Sequence, residues 1–167
     1  MRLMGTGPRN WDYTHYQTFK NNLEDFASQN DLTVVSGGAQ GFDIALAKAA
    51  SELNIPFELW FPNPGYIKYY YQGKGYSPKN LGRPETIYAL VGEAQHVNFS
   101  SSDIYITDGA SKIHSNFRRN DDMIANSDAA VVGSLNLMNL TSGTRHAVNN
   151  MKKIGHPMYN EAFKEMN

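Results

Sequence analysis

Two periods of hydrophobic spacing run along the chain. Arg2-Leu3-Met4 is a short apolar start that runs into Gly5-Thr6-Gly7-Pro8-Arg9, which reads as a first strand and its loop. Residues 13–29 place Tyr16, Phe19, Leu23 and Phe26 at helical spacing. Leu32-Thr33-Val34-Val35 is a β-branched run, hence a second strand, and it ends in Ser36-Gly37-Gly38-Ala39-Gln40-Gly41-Phe42-Asp43. Residues 44–53 are alanine-rich and predict a helix able to pack closely on a sheet. Pro56-Phe57-Glu58-Leu59-Trp60-Phe61 predicts a third strand, stopped by Pro62 and Pro64.

Beyond it the pattern loosens. Residues 63–82 read as a loop, broken by Gly65, Gly73, Gly75, Pro78 and Gly82 and carrying Tyr66, Tyr69, Tyr70, Tyr71 and Tyr76. A helix is expected over 84–97, with Pro84 in its first turn. Residues 100–114 give no clear period, although Ile104-Tyr105-Ile106 is compatible with a short strand. The regular pattern then resumes. A helix is expected over 117–126, a buried strand at Ala129-Ala130-Val131-Val132-Gly133, and a helix opened by Thr141-Ser142-Gly143-Thr144 and running through 153. A last strand at His156-Pro157-Met158-Tyr159 and a helical tail to 167 complete the reading.

Strands alternating with helices predict an α/β fold: a three-layer, Rossmann-like, open and mainly parallel sheet flanked by helices. The 167 residues fit one domain, interrupted by the tyrosine-rich insertion at about 63–115. Composition narrows the chemistry. The absence of cysteine excludes disulfides, thiolate catalysis and cysteine-ligated zinc, and suits a reducing cytoplasm. Lys plus Arg (15) nearly balances Asp plus Glu (16), so no broad basic surface for nucleic acid or membrane is advertised. No apolar run reaches the ~20 residues of a membrane helix. The N-terminus meets Gly5 too soon for a signal peptide, so a cytoplasmic protein is expected.

Three glycine-bearing loops follow three expected strands. In an open parallel sheet, ligands bind beyond the carboxyl ends of the strands. Glycine permits positive φ and close approach of a phosphate, and a helix starting just after offers unpaired N–H groups. Gly37-Gly38-x-x-Gly41 and Ser142-Gly143-Thr144 both fit, although a tight strand-to-helix turn also wants glycine. The candidate ligand-binding residues are therefore Gly5, Thr6, Gly7, Arg9, Ser36, Gly37, Gly38, Ala39, Gly41, Asp43, Arg119, Asn120, Ser142, Gly143 and Thr144. Arg9, Arg118, Arg119 and Arg145 are the nearby cations, and arginine's planar fork suits phosphate. Asp43 either caps a helix or bonds a ribose hydroxyl, whereas Asp128 reads as structural. His96 and His114 carry no metal-ligand spacing, Ser36 has no visible His–Asp partners, and no cofactor or metal is called for. The tyrosines of the insertion, with Lys68, Lys74 and Lys79 among them, either stack on a base or pack a lid or subunit contact.

Val35-Ser36-Gly37-Gly38-Ala39-Gln40-Gly41-Phe42-Asp43 resembles the S-G-G-A-x-G-x-D signature of the SLOG superfamily, as found in DprA/Smf and YspA-like proteins. Arg119-Asn120-Asp121-Asp122-Met123, Asp128-Ala129-Ala130-Val131-Val132 and Ser142-Gly143-Thr144 resemble its later landmarks in the same order, and Gly5-Thr6-Gly7-Pro8-Arg9 its opening loop. The resemblance covers roughly 1–62 and 115–160. It implies a nucleotide or related ligand in the crevice and association into a homodimer or higher homo-oligomer. LOG-type members cleave the N-glycosidic bond of nucleoside monophosphates with an arginine from R-K-x-x-M and a glutamate from P-G-G-x-G-T-x-x-E. Arg119 falls on that arginine and is the one catalytic candidate, but Ala147 stands at the glutamate position and Asn139-Leu140-Thr141-Ser142 departs from P-G-G-x. Such hydrolysis wants a carboxylate, and Asp43, Glu85, Glu93 or Asp103 would have to supply it. Three readings result: a binder of nucleotide-like small ligands, a nucleotide N-glycosidase or deoxyribosyltransferase, and a DprA-like binder of single-stranded DNA. The near-neutral charge weighs against the third.

Overall fold

The structure, a computed structural model, describes residues 1–66, 84–100 and 109–166. Among them seven strands form one sheet: β1 (Arg2–Thr6), β2 (Thr33–Ser36), β3 (Phe57–Phe61), β4 (His96–Phe99), β5 (Ala129–Val132), β6 (Met158–Tyr159) and β7 (Glu165–Met166). Their order is β4-β3-β2-β1-β5-β6-β7, parallel throughout except for the antiparallel β6–β7 pair. The helices are a 3-10 turn (Tyr13–His15), α1 (Tyr16–Gln29), α2 (Phe42–Glu52), α3 (Pro84–Glu93), α4 (Gly109–Ala125) and α5 (Ser142–Ile154). This is the three-layer Rossmann-like α/β arrangement expected from the sequence.

Two cores follow from the two faces of the sheet. On one, Phe19 and Leu23 of α1, the alanines of α2 and Ile87 and Leu90 of α3 pack on Leu3, Val34, Leu59 and Val131. On the other, Met123 and Ile124 of α4 and Ala147, Val148 and Met151 of α5 pack on Met4, Val35, Ala130 and Val132. Alternate residues of each strand thus serve opposite layers, as a doubly covered sheet requires. Ala45, Ala47, Ala49 and Ala50 are all buried, so α2 lies close to the sheet.

Three expectations need correction. The helix expected over 84–97 stops at Glu93, and His96–Phe99 form an edge strand instead. Ala94 still donates back to Leu90, but the next amide, Gln95, turns to the carbonyl of Phe57 and begins the β3–β4 ladder. Sheet pairing thereby overrides the helical spacing. The tail is a strand, not a helix. Asn160 Oδ1 accepts the amides of Ala162 and Lys164, which folds the chain into the β6–β7 turn, and Phe163 stacks on Phe19 and Phe26. Gly5 and Thr6, expected in a loop, complete β1. The expectations for Tyr69 to Tyr71, Tyr76, Lys68, Lys74, Lys79, Asp103 and Ile104 to Ile106 lie outside the described residues.

Charge adds one cross-strand tie. Arg2 grips Glu58 through both terminal guanidinium nitrogens, Nη1 and Nη2 (2.7 and 2.9 Å), and Trp60 Nε1 donates to the same carboxylate (3.0 Å). These bonds hold the Glu58 carboxyl below its usual range. Asp128 accepts the Arg2 amide (2.8 Å), in keeping with its structural reading.

Phe42 is enclosed by aromatic rings and by glycine backbone. Fully buried, it meets the rings of Trp11 and Phe19 at 5.6 and 5.1 Å. A methyl on Gly133 would stand 2.6 Å from its Cδ2. Gly133→Ala should therefore cost about 1–3 kcal/mol and Phe42→Ala about 3–5 kcal/mol. In the double variant the new methyl enters the space the ring has left, so the loss should be smaller than the sum by at least about 0.5 kcal/mol. Urea denaturation of the four proteins checks this, and strictly additive losses would refute the contact.

Candidate ligand site

In this strand order the chain moves outward from β1 through β2 and β3 to β4, then returns to the other side of β1 with β5. The direction switches between β1 and β5, and the turns at their carboxyl ends flank the crevice where open α/β sheets take ligands. The turn after β2 leans on the turn after β1. Gly41 holds φ +84°, and a Cβ there would collide with the carbonyl oxygens of Pro8 and Arg9, so only glycine fits. The amides of Phe42 (3.2 Å) and Trp11 (3.3 Å) both donate to the Pro8 carbonyl. The turn after β5 joins them. Gly133 donates to Thr6 O at 2.8 Å, and both Gly133 and Gly7 lie against Phe42.

The structure thus brings the expected turns after β1 and β2 together, but packing fills the space at most of their glycines. Gly5 abuts Leu46, Gly7 abuts Phe42 and Gly38 abuts Phe61. Gly143 differs: among the described residues nothing lies within 4 Å of where its Cβ would stand. It belongs to the first turn of α5. The Thr141 side chain makes no capping bond there and goes instead to Thr144 Oγ1 (3.1 Å). Ser142 is exposed and Thr144 is buried. Arg145 turns its guanidinium back to the Leu140 carbonyl (2.9 Å). Leu135 and Met138, 61% and 72% exposed, lie on the loop leading into this turn.

Arg119 and Asp43 meet on either side of Gly37. A Cβ on that glycine would lie 2.8 Å from Arg119 Nη1 and 2.9 Å from Asp43 Oδ2. Arg119 comes from α4 and is only 4% exposed. Its Nη1 donates to the carbonyls of Gly37 (2.5 Å) and Trp60 (3.2 Å), and its Nε to Asn120 Oδ1 (2.8 Å). The Tyr66 ring lies 5.8 Å from the guanidinium carbon. Arg119 thus ties α4 to the ends of β2 and β3 rather than standing open to a ligand. Burial pushes the Asp43 carboxyl up to about 6, against the pull of Arg119, the Ala39 amide and Arg9. Asp43 Oδ2 accepts the Ala39 amide (3.4 Å), and Ser36 Oγ donates to the Asp43 carbonyl (2.7 Å) while accepting Gly38 N–H (3.2 Å). Ser36, Ala39 and Asp43 therefore close the turn on itself.

Ala147, at the glutamate position of LOG-type proteins, is buried in the core. Glu93 sits on α3 and accepts the Ser51 hydroxyl. The side chains of Glu85 and His114 lie outside the described residues. One contact of an insertion tyrosine and one buried amide escaped the sequence reading. Tyr66 is buried beside Arg119. Gln40, 2% exposed, has its Nε2 buried without a hydrogen-bond partner among the described residues; its place inside the glycine motif was the available signal. Among the described residues no group of three His, Asp or Glu could hold a metal ion, and no helix is long and apolar enough to cross a membrane.

No protein-family model matches the chain, and no curated protein matches it. Solved structures do share its fold. DNA processing protein A from Helicobacter pylori, described for its single-stranded DNA binding mode, aligns at a TM-score of 0.64 with 17% identity, over 96% of this chain and 64% of that one. DNA processing protein A (DprA) from Streptococcus pneumoniae aligns at 0.62 with 13% identity, over 95% and 49%. TM1055, a structural-genomics target, aligns at 0.57 with 12% identity, over 95% and 72%. The chain thus spans about half to two thirds of the two DprA chains it matches. The likeness is one of fold: the same Rossmann-like α/β arrangement.

Asp43 makes stability depend on pH in an unusual sense. A carboxyl whose folded pKa, about 6, exceeds its unfolded value of 3.8 binds its proton more tightly in the folded chain. Its contribution is therefore most favourable below pH 3.8 and is lost as pH rises through about 6. Over that window, wild type should lose about 3 kcal/mol relative to Asp43→Asn. Denaturant titrations from pH 3.5 to 7 test this; a wild-type-minus-variant difference that stays flat, or grows with pH, contradicts the buried carboxyl.

Proposed function

We propose that the crevice at the carboxyl ends of β1, β2 and β5 binds the phosphate of a nucleotide or nucleotide-like small molecule, with the first turn of α5 as its anchor. The observation that carries this is the α5 turn. Among the described residues it has no side-chain cap and nothing stands at the Cβ position of Gly143, and it lies on the β5 side of the switch between β1 and β5. Unpaired N–H groups and the positive end of the helix dipole favour an anion at such a turn. The glycines of the other two loops support the site indirectly, by letting the turns pack tightly. Arg119 supports it as a buried brace of the same rim.

The N-glycosidase reading has less behind it. Arg119 is committed to backbone carbonyls, and Ala147 offers no carboxylate. The single-stranded DNA reading keeps one specific support besides the fold: exposed Leu135 and Met138 beside the α5 turn offer apolar surface against which a base can lie. Both binding readings need a phosphate at the same place. They differ in salt dependence, because a strand that engages several phosphates loses affinity steeply with salt.

A thermal-shift screen of nucleoside monophosphates, sugar phosphates, cyclic dinucleotides and a short oligonucleotide tests the proposal. Binding should stabilise the protein by about 2.7 kcal/mol at a hundredfold excess over Kd. Gly143→Asp separates binding from folding: its Cβ meets nothing within 4 Å among the described residues and its carboxylate favours the helix N-terminus by about 0.3–1 kcal/mol, yet it should abolish phosphate-dependent stabilisation. If no phosphate compound stabilises wild type, or if Gly143→Asp responds as wild type does, the anchor is not the α5 turn.

A further inference from the structure

Next to the α5 turn lies a polar cluster that the reading above does not use. His146, in the second turn of α5, sets Nε2 3.2 Å from Asp121 Oδ1 of α4. Asn150 Nδ2 lies 2.7 Å from the same carboxylate oxygen and 3.1 Å from His146 Nε2. A carboxylate only accepts, so Nε2 carries the proton and both nitrogens donate to Asp121. Phe117 stacks flat on the imidazole, with centroids 4.3 Å apart and planes 12° from parallel. One face and one nitrogen of the ring are therefore held. Among the described residues Nδ1 makes no hydrogen bond, and the side chain keeps 32% of its surface exposed.

We propose that His146 is a further ligand-binding residue that meets the phosphoryl group of the molecule bound in the crevice as an imidazolium: Nε2–H stays on Asp121 while Nδ1, protonated from solvent in the complex, donates to a phosphoryl oxygen, with Asp121 and Phe117 as positioning residues. The inference rests on the phosphate-binding reading above. Helical geometry places position 146 on the same face as Ser142 and Gly143, one turn away, and the Cα–Cβ bond tilts toward that turn. A ring already fixed by a carboxylate and an aromatic face loses little further freedom on binding, which is how second partners ordinarily prepare a histidine for a ligand. The neighbouring cation, Arg145, is drawn off to Leu140 O, and the next residue, Ala147, faces the core. His146 is thus the partly exposed, oriented polar side chain next to the open turn.

The two ring nitrogens can be tested separately. The amide of asparagine at 146 approximates the position of Nδ1, and that of glutamine the position of Nε2. Titration with adenosine monophosphate and with inorganic phosphate, followed by calorimetry, should show His146→Ala weakened about tenfold and Asp121→Ala about threefold. His146→Asn should recover part of the loss and His146→Gln none. A role confined to clasping α4 to α5 predicts the reverse, with Gln recovering stability and no variant changing affinity. Wild type provides a readout independent of variant folding: the Nδ1 resonance of His146 in a long-range 1H–15N spectrum should move as phosphate is added. If wild type binds but that resonance stays still, or Gln rescues better than Asn, the assignment of His146 is overturned while the crevice reading stands. If wild type binds neither probe, the crevice reading itself falls.

Discussion

One ring at the head of α2 sets the spacing of the functional end of this fold. Phe42 occupies the place where the turns after β1 and β5 converge, and neither Gly7 nor Gly133 leaves room for even a methyl beside it. The α2 turn is brought down on the first loop by Gly41, whose Cβ would overlap the backbone of residues 8 and 9. Close packing of this kind is intolerant of added volume. Glycine at 7, 41 and 133 is therefore demanded by packing, whatever binds above. The glycine signature serves first to bring three strand ends close enough to share a crevice.

The second constraint is electrostatic. Arg119 carries a buried charge from α4 across the layer to the ends of β2 and β3, where carbonyls of Gly37 and Trp60 and the nearby Asp43 meet it. A guanidinium cannot shed its charge, so burial requires these partners. Asp43 answers the same environment differently, by holding its proton to higher pH. The pair braces the rim on the side of β2 and β3. The α5 turn stays uncapped and open on the side of β5. Packed where the turns meet and, among the described residues, without a side-chain cap at the start of α5, the carboxyl end of the sheet is where the proposed site lies.

The likeness to DNA processing protein A fits this division. Fold is retained at 13–17% identity because strand order, alanine-rich packing and glycine turns are general solutions to building the sheet. Ligand choice rests on individual side chains at the rim, which such a likeness does not carry over.

Periodicity and turn chemistry alone were enough to determine the layered α/β class, the places of β1, β2, β3 and β5 to within a few residues, and the helices expected over 13–29, 44–53 and 141–153 that fold as α1, α2 and α5. Each rests on local spacing of apolar residues and on glycine at a boundary. What depended on partners distant in the chain was not legible. The edge strand at His96 exists because β3 offers it a ladder, and the tail becomes a strand because Asn160 gathers two amides and Phe163 finds the rings of α1. The candidate site divides in the same way. The motif residues were visible as a row of glycines, one aspartate and one arginine. Only the tertiary structure decided that most of those glycines face side chains, that Arg119 is spent on carbonyls 59 and 82 residues away, and that His146 is met by Asp121. Local sequence encodes backbone preference, whereas burial and pairing belong to whatever the folded chain brings alongside.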